Sequence, residues 1–277
     1  MAGKFTTQAF SDAKKNSRKI TMLTAYDYTM AQILDESGID AILVGDSLAM
    51  PIQGKDSTLE VTMEEMLYHC RCVAKGVRNA LIVGDMPFMT YHINTDEAVR
   101  NAGRFIQEGR VSAVKLEGGK HMADTVRAIV RAQIPVMGHI GLTPQSVNIF
   151  GGFKVQGKEE SAARALVEDA LAIEEAGAFA IVLEAVPEML AKLISEKVSI
   201  PTIGIGAGKY CDGQILVIHD MLGLYSDFTP KFVKQYAKLR GSMSEAVKSY
   251  VSEVRDSQFP EVQHTYKMND EILERLY

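Results

Sequence analysis

The chain has 277 residues, 47% of them hydrophobic, and a formal net charge of −5 with no basic block; an α/β barrel of about 250 residues folds as one domain, and the acidic balance argues against a nucleic-acid partner. No apolar stretch approaches the roughly 18 residues that span a bilayer, so no membrane partner is expected. Cys70, Cys72 and Cys211 lack a paired metal-ligand spacing and read as reduced thiols of a cytoplasmic protein.

The N-terminus, residues 1–19, is basic and bears Ser and Thr, but it lacks arginine clustering, contains Asp12 and runs straight into a first strand. It reads as a leading helix that closes one end of a barrel rather than as a transit peptide. Short apolar, partly β-branched runs then predict buried parallel strands near 20–24, 41–44, 81–84, 113–116, 136–138, 180–183, 202–205 and 214–218. The segments between them read as helices. Residues 28–37 close with Gly38, and Gly177 repeats that C-terminal signal after Ile173-Glu174-Glu175-Ala176. Thr62 stands three residues before Glu65 in capping-box spacing, and Thr95-Asp96-Glu97 opens another helix with negative charge in its first turn. The stretch 141–158 is too long for an idle connection and is expected to cover a site. Beyond Tyr225, residues 230–239 and 242–255 read as helices that complete the outer ring. Eight βα units favour a single-domain (β/α)8 TIM barrel over residues 1–277, and no Gly-x-Gly-x-x-Gly follows the first strand to argue for a dinucleotide fold.

Five of these runs end abruptly in a charged or titratable residue. Ala41-Ile42-Leu43-Val44-Gly45 leads to Asp46-Ser47, Leu81-Ile82-Val83-Gly84 to Asp85, and Ala113-Val114-Lys115-Leu116 to Glu117. Pro135-Val136-Met137-Gly138 leads to His139, and Ala180-Ile181-Val182-Leu183 to Glu184. In a barrel, the C-terminal ends of the strands converge on the catalytic mouth. Several carboxylates there repel one another, and a hard divalent cation with all-oxygen ligation, Mg²⁺, relieves that repulsion. Asp46 and Asp85 are the direct metal ligands on this reading, with Glu117 binding directly or through water. Lys115 and Glu117, two apart on a strand, share a face; Lys115 either serves an acidic substrate or pairs internally with Glu117. Ser47 either donates to a substrate carboxylate or caps the next helix. His139 is a substrate contact, metal ligand or proton donor, or a satisfied structural histidine. Glu184, across the mouth, is the general base, with burial raising its pKa. Gly204-Ile205-Gly206-Ala207-Gly208 either binds phosphate or only allows close backbone approach.

Taken together, Thr24-Ala25-Tyr26-Asp27, Val44-Gly45-Asp46-Ser47, Gly84-Asp85-Met86-Pro87-Phe88 and Val114-Lys115-Leu116-Glu117-Gly118-Gly119 resemble the ketopantoate hydroxymethyltransferase family. Gly138-His139-Ile140-Gly141-Leu142-Thr143-Pro144-Gln145, Leu183-Glu184, Ile203-Gly204-Ile205-Gly206-Ala207-Gly208 and the run from Gln214 to Gly223 continue the likeness in order. The resemblance implies a Mg²⁺-dependent (β/α)8 enzyme of pantothenate biosynthesis. Such an enzyme transfers a hydroxymethyl group from 5,10-methylenetetrahydrofolate to 3-methyl-2-oxobutanoate through a Mg-stabilised enolate, giving 2-dehydropantoate. It implies Asp46 and Asp85 as metal ligands, Glu117 as a water-linked third, and Asp46, Ser47, Asp85 and Lys115 as contacts to the 2-oxo acid. It further implies Glu184 as proton acceptor, and a homo-oligomer built as a decamer of two pentamers. It keeps His139 in the site without giving it a task.

The residues alone leave other readings open. One is a Mg²⁺-dependent C–C lyase or mutase of the phosphoenolpyruvate mutase and isocitrate lyase type, for which Cys211 is the loop-like cysteine. A phosphate-binding sugar isomerase would lean on Gly204 to Gly208. A non-catalytic barrel scaffold has no need of five costly polar strand ends.

Overall fold

The structure, a computed structural model, describes residues 4–152, 154–225 and 229–276. Eight parallel strands close into a barrel in sequence order: β1 (Ile20–Thr24), β2 (Ala41–Val44), β3 (Leu81–Asp85), β4 (Ala113–Glu117), β5 (Val136–Gly141), β6 (Ala180–Glu184), β7 (Thr202–Ile205) and β8 (Gly213–Leu216). The helices are α1 (Thr7–Lys15), α2 (Tyr28–Glu36), α3 (Met63–Gly76), α4 (Thr95–Gln107), α5 (Ala123–Arg131), α6 (Val147–Phe150), α7 (Glu160–Glu175), α8 (Glu188–Lys197), α9 (Ile218–Met221), α10 (Leu239–Arg255) and α11 (Asp270–Glu274). The (β/α)8 expectation is met. Among the described residues no helix is long and apolar enough to cross a membrane.

Local chemistry sets the helix starts. Asp27 accepts from Met30 N–H to open α2, and Asn94 accepts from Glu97 N–H to open α4. Thr62 and Glu65 form the reciprocal capping box at α3. Gly38 and Gly177 take positive φ after α2 and α7, as their positions predict.

Successive side chains of a strand face opposite sides, so each barrel strand serves two cores. Ile42, Val44, Ile82, Val114, Leu116, Ile140, Ile181 and Leu183 face outward onto the helices, among Leu67, Cys70, Phe105, Val126, Ile129, Ile173 and Ile194. Ile20, Met22, Ala41, Leu43, Leu81, Val83, Ala113, Met137, Ala180, Val182, Ile203 and Ile215 fill the lumen. Phe10 and Ala13 of α1 join that inner cluster, and Phe10 meets Phe179 edge-on, with ring centroids 5.3 Å apart. The leading helix therefore plugs the N-terminal end of the barrel, as expected; of the leading segment 1–19, residues 1–3 lie outside the described range.

Three expectations need correction. Strand β8 stops at Leu216, because Ile218 N–H donates to Thr24 Oγ1 (3.1 Å) and turns into α9 instead of extending the ladder. Residues 230–238 are not helical: Tyr236 and Leu239 N–H groups bond to the carbonyls of Met221 and Leu222, so the segment strings itself along α9. Finally, α10 exists but completes no ring, since none of its residues is buried.

Candidate active site

The alternation that fills the lumen with Leu81, Val83, Ala113, Met137 and Val182 continues to the strand ends, where it delivers different chemistry. Asp85 follows Val83 on the inward face, Lys115 and Glu117 follow Ala113, His139 follows Met137, and Glu184 follows Val182. Two strand-end glycines face the other way. A Cβ on Gly84 would lie 2.5 Å from Phe105 Cδ1, and one on Gly138 would lie 2.6 Å from Ile173 Cγ2. The Gly-Asp and Gly-His pairs thus let α4 and α7 close on the sheet while the next residue points into the mouth.

Register decides the partners. Asp85 is paired with Lys115 across β3 and β4, and Lys115 Nζ donates to Asp85 Oδ1 at 2.6 Å, both side chains being buried. Glu117 Oε1 lies 3.9 Å from the same ammonium. The internal pair considered from sequence is therefore made chiefly with Asp85. Burial disfavours the Lys115 ammonium, but Asp85, Glu117 and Asp46 outweigh it and hold the group protonated, above the usual lysine range.

Glu117 is registered with His139, whose Nδ1 lies 3.4 Å from Glu117 Oε1. His139 Nε2 lies 3.2 Å from Glu184 Oε2 on the far side. Neither ring nitrogen aims a hydrogen bond at its carboxylate, so the contacts are ion pairs by distance alone. Burial and the Lys115 ammonium pull the imidazolium pKa down, while the two carboxylates raise it further, to about 9. His139 bridges the β4 and β6 carboxylates and is sealed from solvent. Glu184 is not buried like the rest; 16% of its side chain is exposed. The burial expected of the base is only partial.

Asp46 begins a short 3-10 turn, Asp46–Ala49, just past β2. Its N–H donates to Asp85 Oδ2 at 3.3 Å, which brings the two acids together. Burial, then Asp85 and Glu117, push the Asp46 pKa well above the ordinary carboxylate range. Asp46, Asp85, Glu117 and Glu184 face the ammonium of Lys115 and the imidazole of His139. That surplus of carboxylates over cationic side chains fits a hard divalent cation. Among the described residues no three such side chains form a ready-made ligand set. Asp46 and Asp85 are the pair able to hold the ion, with further oxygens coming from water or a ligand.

Ser47 does not cap: Gly45 precedes the turn without a side-chain hydrogen bond, and Ser47 Oγ instead lies 2.9 Å from Tyr26 Oη. Cys211 is buried and precedes β8, at the end of the barrel opposite the mouth, which removes it from any acid role there. At the glycine-rich segment, a Cβ on Gly208 would overlap Glu188, whose carboxylate also accepts from Lys209 N–H at 3.4 Å. An acidic side chain on that turn disfavours phosphate.

Sequence reasoning missed three residues that hold this site: Tyr26, Tyr91 and Gln145. Gln145 sits in the quoted Gly138 to Gln145 motif, which was the available signal; Tyr91 had none.

Residues 4–262 match the family model described as ketopantoate hydroxymethyltransferase. A Clostridium beijerinckii protein named 3-methyl-2-oxobutanoate hydroxymethyltransferase is 62% identical over 274 residues, covering 99% of this chain and 100% of its own. An Enterococcus faecalis protein of the same name is 59% identical over 274 residues, with the same coverage of 99% and 100%. Among solved structures, a phosphonopyruvate hydrolase superposes with a TM-score of 0.63 at 16% identity, covering 97% of this chain and 93% of its own. A 2,3-dimethylmalate lyase superposes with a TM-score of 0.59 at 16% identity, covering 98% and 93%. At such identities these two show the shared barrel and nothing of the reaction.

Proposed function

The chain belongs to the ketopantoate hydroxymethyltransferase family, and from that premise we propose that it transfers a hydroxymethyl group from 5,10-methylenetetrahydrofolate to 3-methyl-2-oxobutanoate, giving 2-dehydropantoate for pantothenate biosynthesis. The observation that carries this reading is the opposition across the mouth of a buried Asp46, Asp85 and Lys115 cluster and a solvent-facing Glu184.

Asp46 and Asp85 would hold Mg²⁺, with Glu117 linked through water, and the bound ion would supply Lewis-acid polarisation of the 2-oxo acid. Lys115, kept charged by its acidic neighbours, binds the acid and meets negative charge developing on the keto oxygen. Ser47 shares a hydroxyl–hydroxyl hydrogen bond of 2.9 Å with Tyr26 Oη, and with the tyrosine as donor its own proton would serve the substrate carboxylate. Glu184 takes the C3 proton. C3 then bonds the methylene carbon of the folate as one of its two C–N bonds breaks, water replaces the other C–N bond to give the hydroxyl, and the proton taken from C3 and one from water restore the two N–H groups of the departing tetrahydrofolate. His139, between Glu117 and Glu184, positions the base and sits at the wall of the substrate site. The lyase reading lacks its cysteine, since Cys211 lies at the far end.

We also propose assembly as a homo-oligomer, a decamer of two pentamers. The number of subunits rests on the family resemblance; what supports association is α10, whose Met243, Val247, Tyr250, Val251 and Val254 are all exposed and at spacings of three and four form one apolar stripe.

The test is Mg²⁺-dependent exchange of the C3 proton of 3-methyl-2-oxobutanoate in deuterium oxide, with and without the folate. The wild-type protein exchanges without folate, and Glu184→Gln loses exchange while still binding the acid. Undiminished exchange in that variant would remove Glu184 as the base.

A further inference from the structure

Gln145 belongs to the loop after β5, carries no charge, and yet touches both carboxylates that β2 and β4 bring to the mouth. Its side-chain Nε2 donates to Asp46 Oδ2 at 2.8 Å and to the Met86 carbonyl at 3.0 Å. Its backbone N–H donates to Glu117 Oε2 at 3.0 Å. Its Oε1 accepts from Tyr91 Oη at 2.6 Å, and that same hydroxyl accepts from Glu117 N–H at 3.2 Å. Glu117, Tyr91 and Gln145 thus form a closed ring of hydrogen bonds, with Asp46 attached to it, and all four are nearly solvent-free.

The ring leaves no freedom to the amide. A flipped Gln145 would turn its oxygen toward the Asp46 carboxylate and the Met86 carbonyl, and its NH₂ toward a tyrosine hydroxyl that already accepts from Glu117 N–H and would lose the acceptor for its own proton. In a buried setting those unsatisfied or repulsive contacts are costly. Asp46 is therefore gripped at Oδ2, and among the described residues no hydrogen bond reaches its Oδ1. Glu117 is gripped at Oε2 and turns Oε1 toward Lys115 and His139. In both acids the loop holds one oxygen, which leaves Asp46 Oδ1 without a hydrogen bond among the described residues and Glu117 Oε1 beside the two cationic side chains.

We propose that Gln145 is the positioning residue of the cation site, holding Asp46 and Glu117 from behind in the orientation that binds the ion, with Tyr91 fixing its amide. This rests on Asp46 as a metal ligand. Behind Gln145 and Tyr91 lies a cavity of about 370 Å³, also lined by Glu117, Gly118, His121 and Thr143. Glu117 reaches that space but Asp46 does not, being screened from it by Gln145, so truncation both frees Asp46 and lets water reach it.

Orienting partners of metal ligands change affinity by roughly 10–100-fold when removed. Mn²⁺ binding to the purified protein without substrate, read as free Mn²⁺ by electron paramagnetic resonance, tests the idea independently of turnover. Gln145→Ala should weaken Mn²⁺ binding by about that 10–100-fold range. Tyr91→Phe keeps the ring and removes only the hydroxyl, so it should weaken binding in the same direction by a smaller factor. The double variant should be no weaker than Gln145→Ala, because Tyr91 acts through Gln145. An additive double variant overturns the proposal, and wild-type affinity in Tyr91→Phe overturns it even if Gln145→Ala fails to fold. Asp46→Asn is the control for the premise: wild-type Mn²⁺ affinity there overturns the metal assignment itself, whereas loss there with Tyr91→Phe unaffected overturns only the role of Gln145.

Discussion

Lys115 and Asp85 form the shortest ion pair of the site, at 2.6 Å and with both side chains buried, and its value is asymmetric. Breaking a buried pair by deleting one partner strands the other charge, at a cost of about 3–5 kcal/mol. Glu117, 3.9 Å from the ammonium, offers partial relief. Asp85→Ala is therefore expected to destabilise the fold toward the lower end of that range, in urea unfolding, and to abolish Mg²⁺-dependent binding of the 2-oxo acid by calorimetry. Asp85→Asn keeps the shape and an acceptor for Lys115, so it should lose the binding with a smaller loss of stability. Wild-type affinity in either variant would take Asp85 out of the site. The strand-end acids were readable because they interrupt apolar runs where packing has no use for them. Which acid the lysine pairs with was not, because that depends on the stagger between β3 and β4.

At the scale of elements, two contacts hold the barrel wall in place beneath the site. Gly84 gives α4 its approach, and Gly84→Ala should cost about 1–3 kcal/mol by overpacking against Phe105. Gly84→Ala combined with Phe105→Leu should recover part of that loss in denaturant unfolding; no recovery would mean the strain lies elsewhere. The second contact ties α2 to the start of β3. The Asp35 carboxylate accepts from the N–H groups of Arg78, Asn79 and Ala80 and from the Asn79 side chain. Burial opposes its charge, but those four donors win and hold its pKa below the ordinary carboxylate range. Its contribution is thus fully present above the unfolded-state value of about 3.9 and fades as pH falls through the lower folded value. Asp35→Asn is expected to lower stability at neutral pH by about 1–3 kcal/mol and to flatten the acid limb of stability against pH. An unchanged acid limb in that variant would show that Asp35 does not drive it.

For the whole molecule, α10 is the part that the barrel does not use. Met243 and Val247 are 58% and 61% exposed on a 17-residue helix with no buried residue. A stripe of that kind is stable in water when another surface covers it. Val247→Asp with Val251→Asp should shift the assembly to smaller species in native mass spectrometry while leaving far-ultraviolet circular dichroism unchanged. An undisturbed assembly would show that α10 lies outside the subunit contacts. Nothing in the sequence separates this helix from those that clad the barrel: its apolar spacing is theirs, and only the path of the chain along α9 carries it away.

The sequence by itself determined the alternation of strands and helices, the plugging helix α1 and the inward row of Asp85, Lys115, Glu117, His139 and Glu184. Those follow from local periodicity and from polar residues placed where an apolar strand ends. Only the tertiary structure decided that Lys115 belongs to Asp85, that His139 stands between Glu117 and Glu184, that Tyr26 rather than a helix end engages Ser47, and that Gln145 grips Asp46 from a loop 99 residues away. Those pairings are set by strand register and by the route of long loops, and neither leaves a periodic trace in the chain.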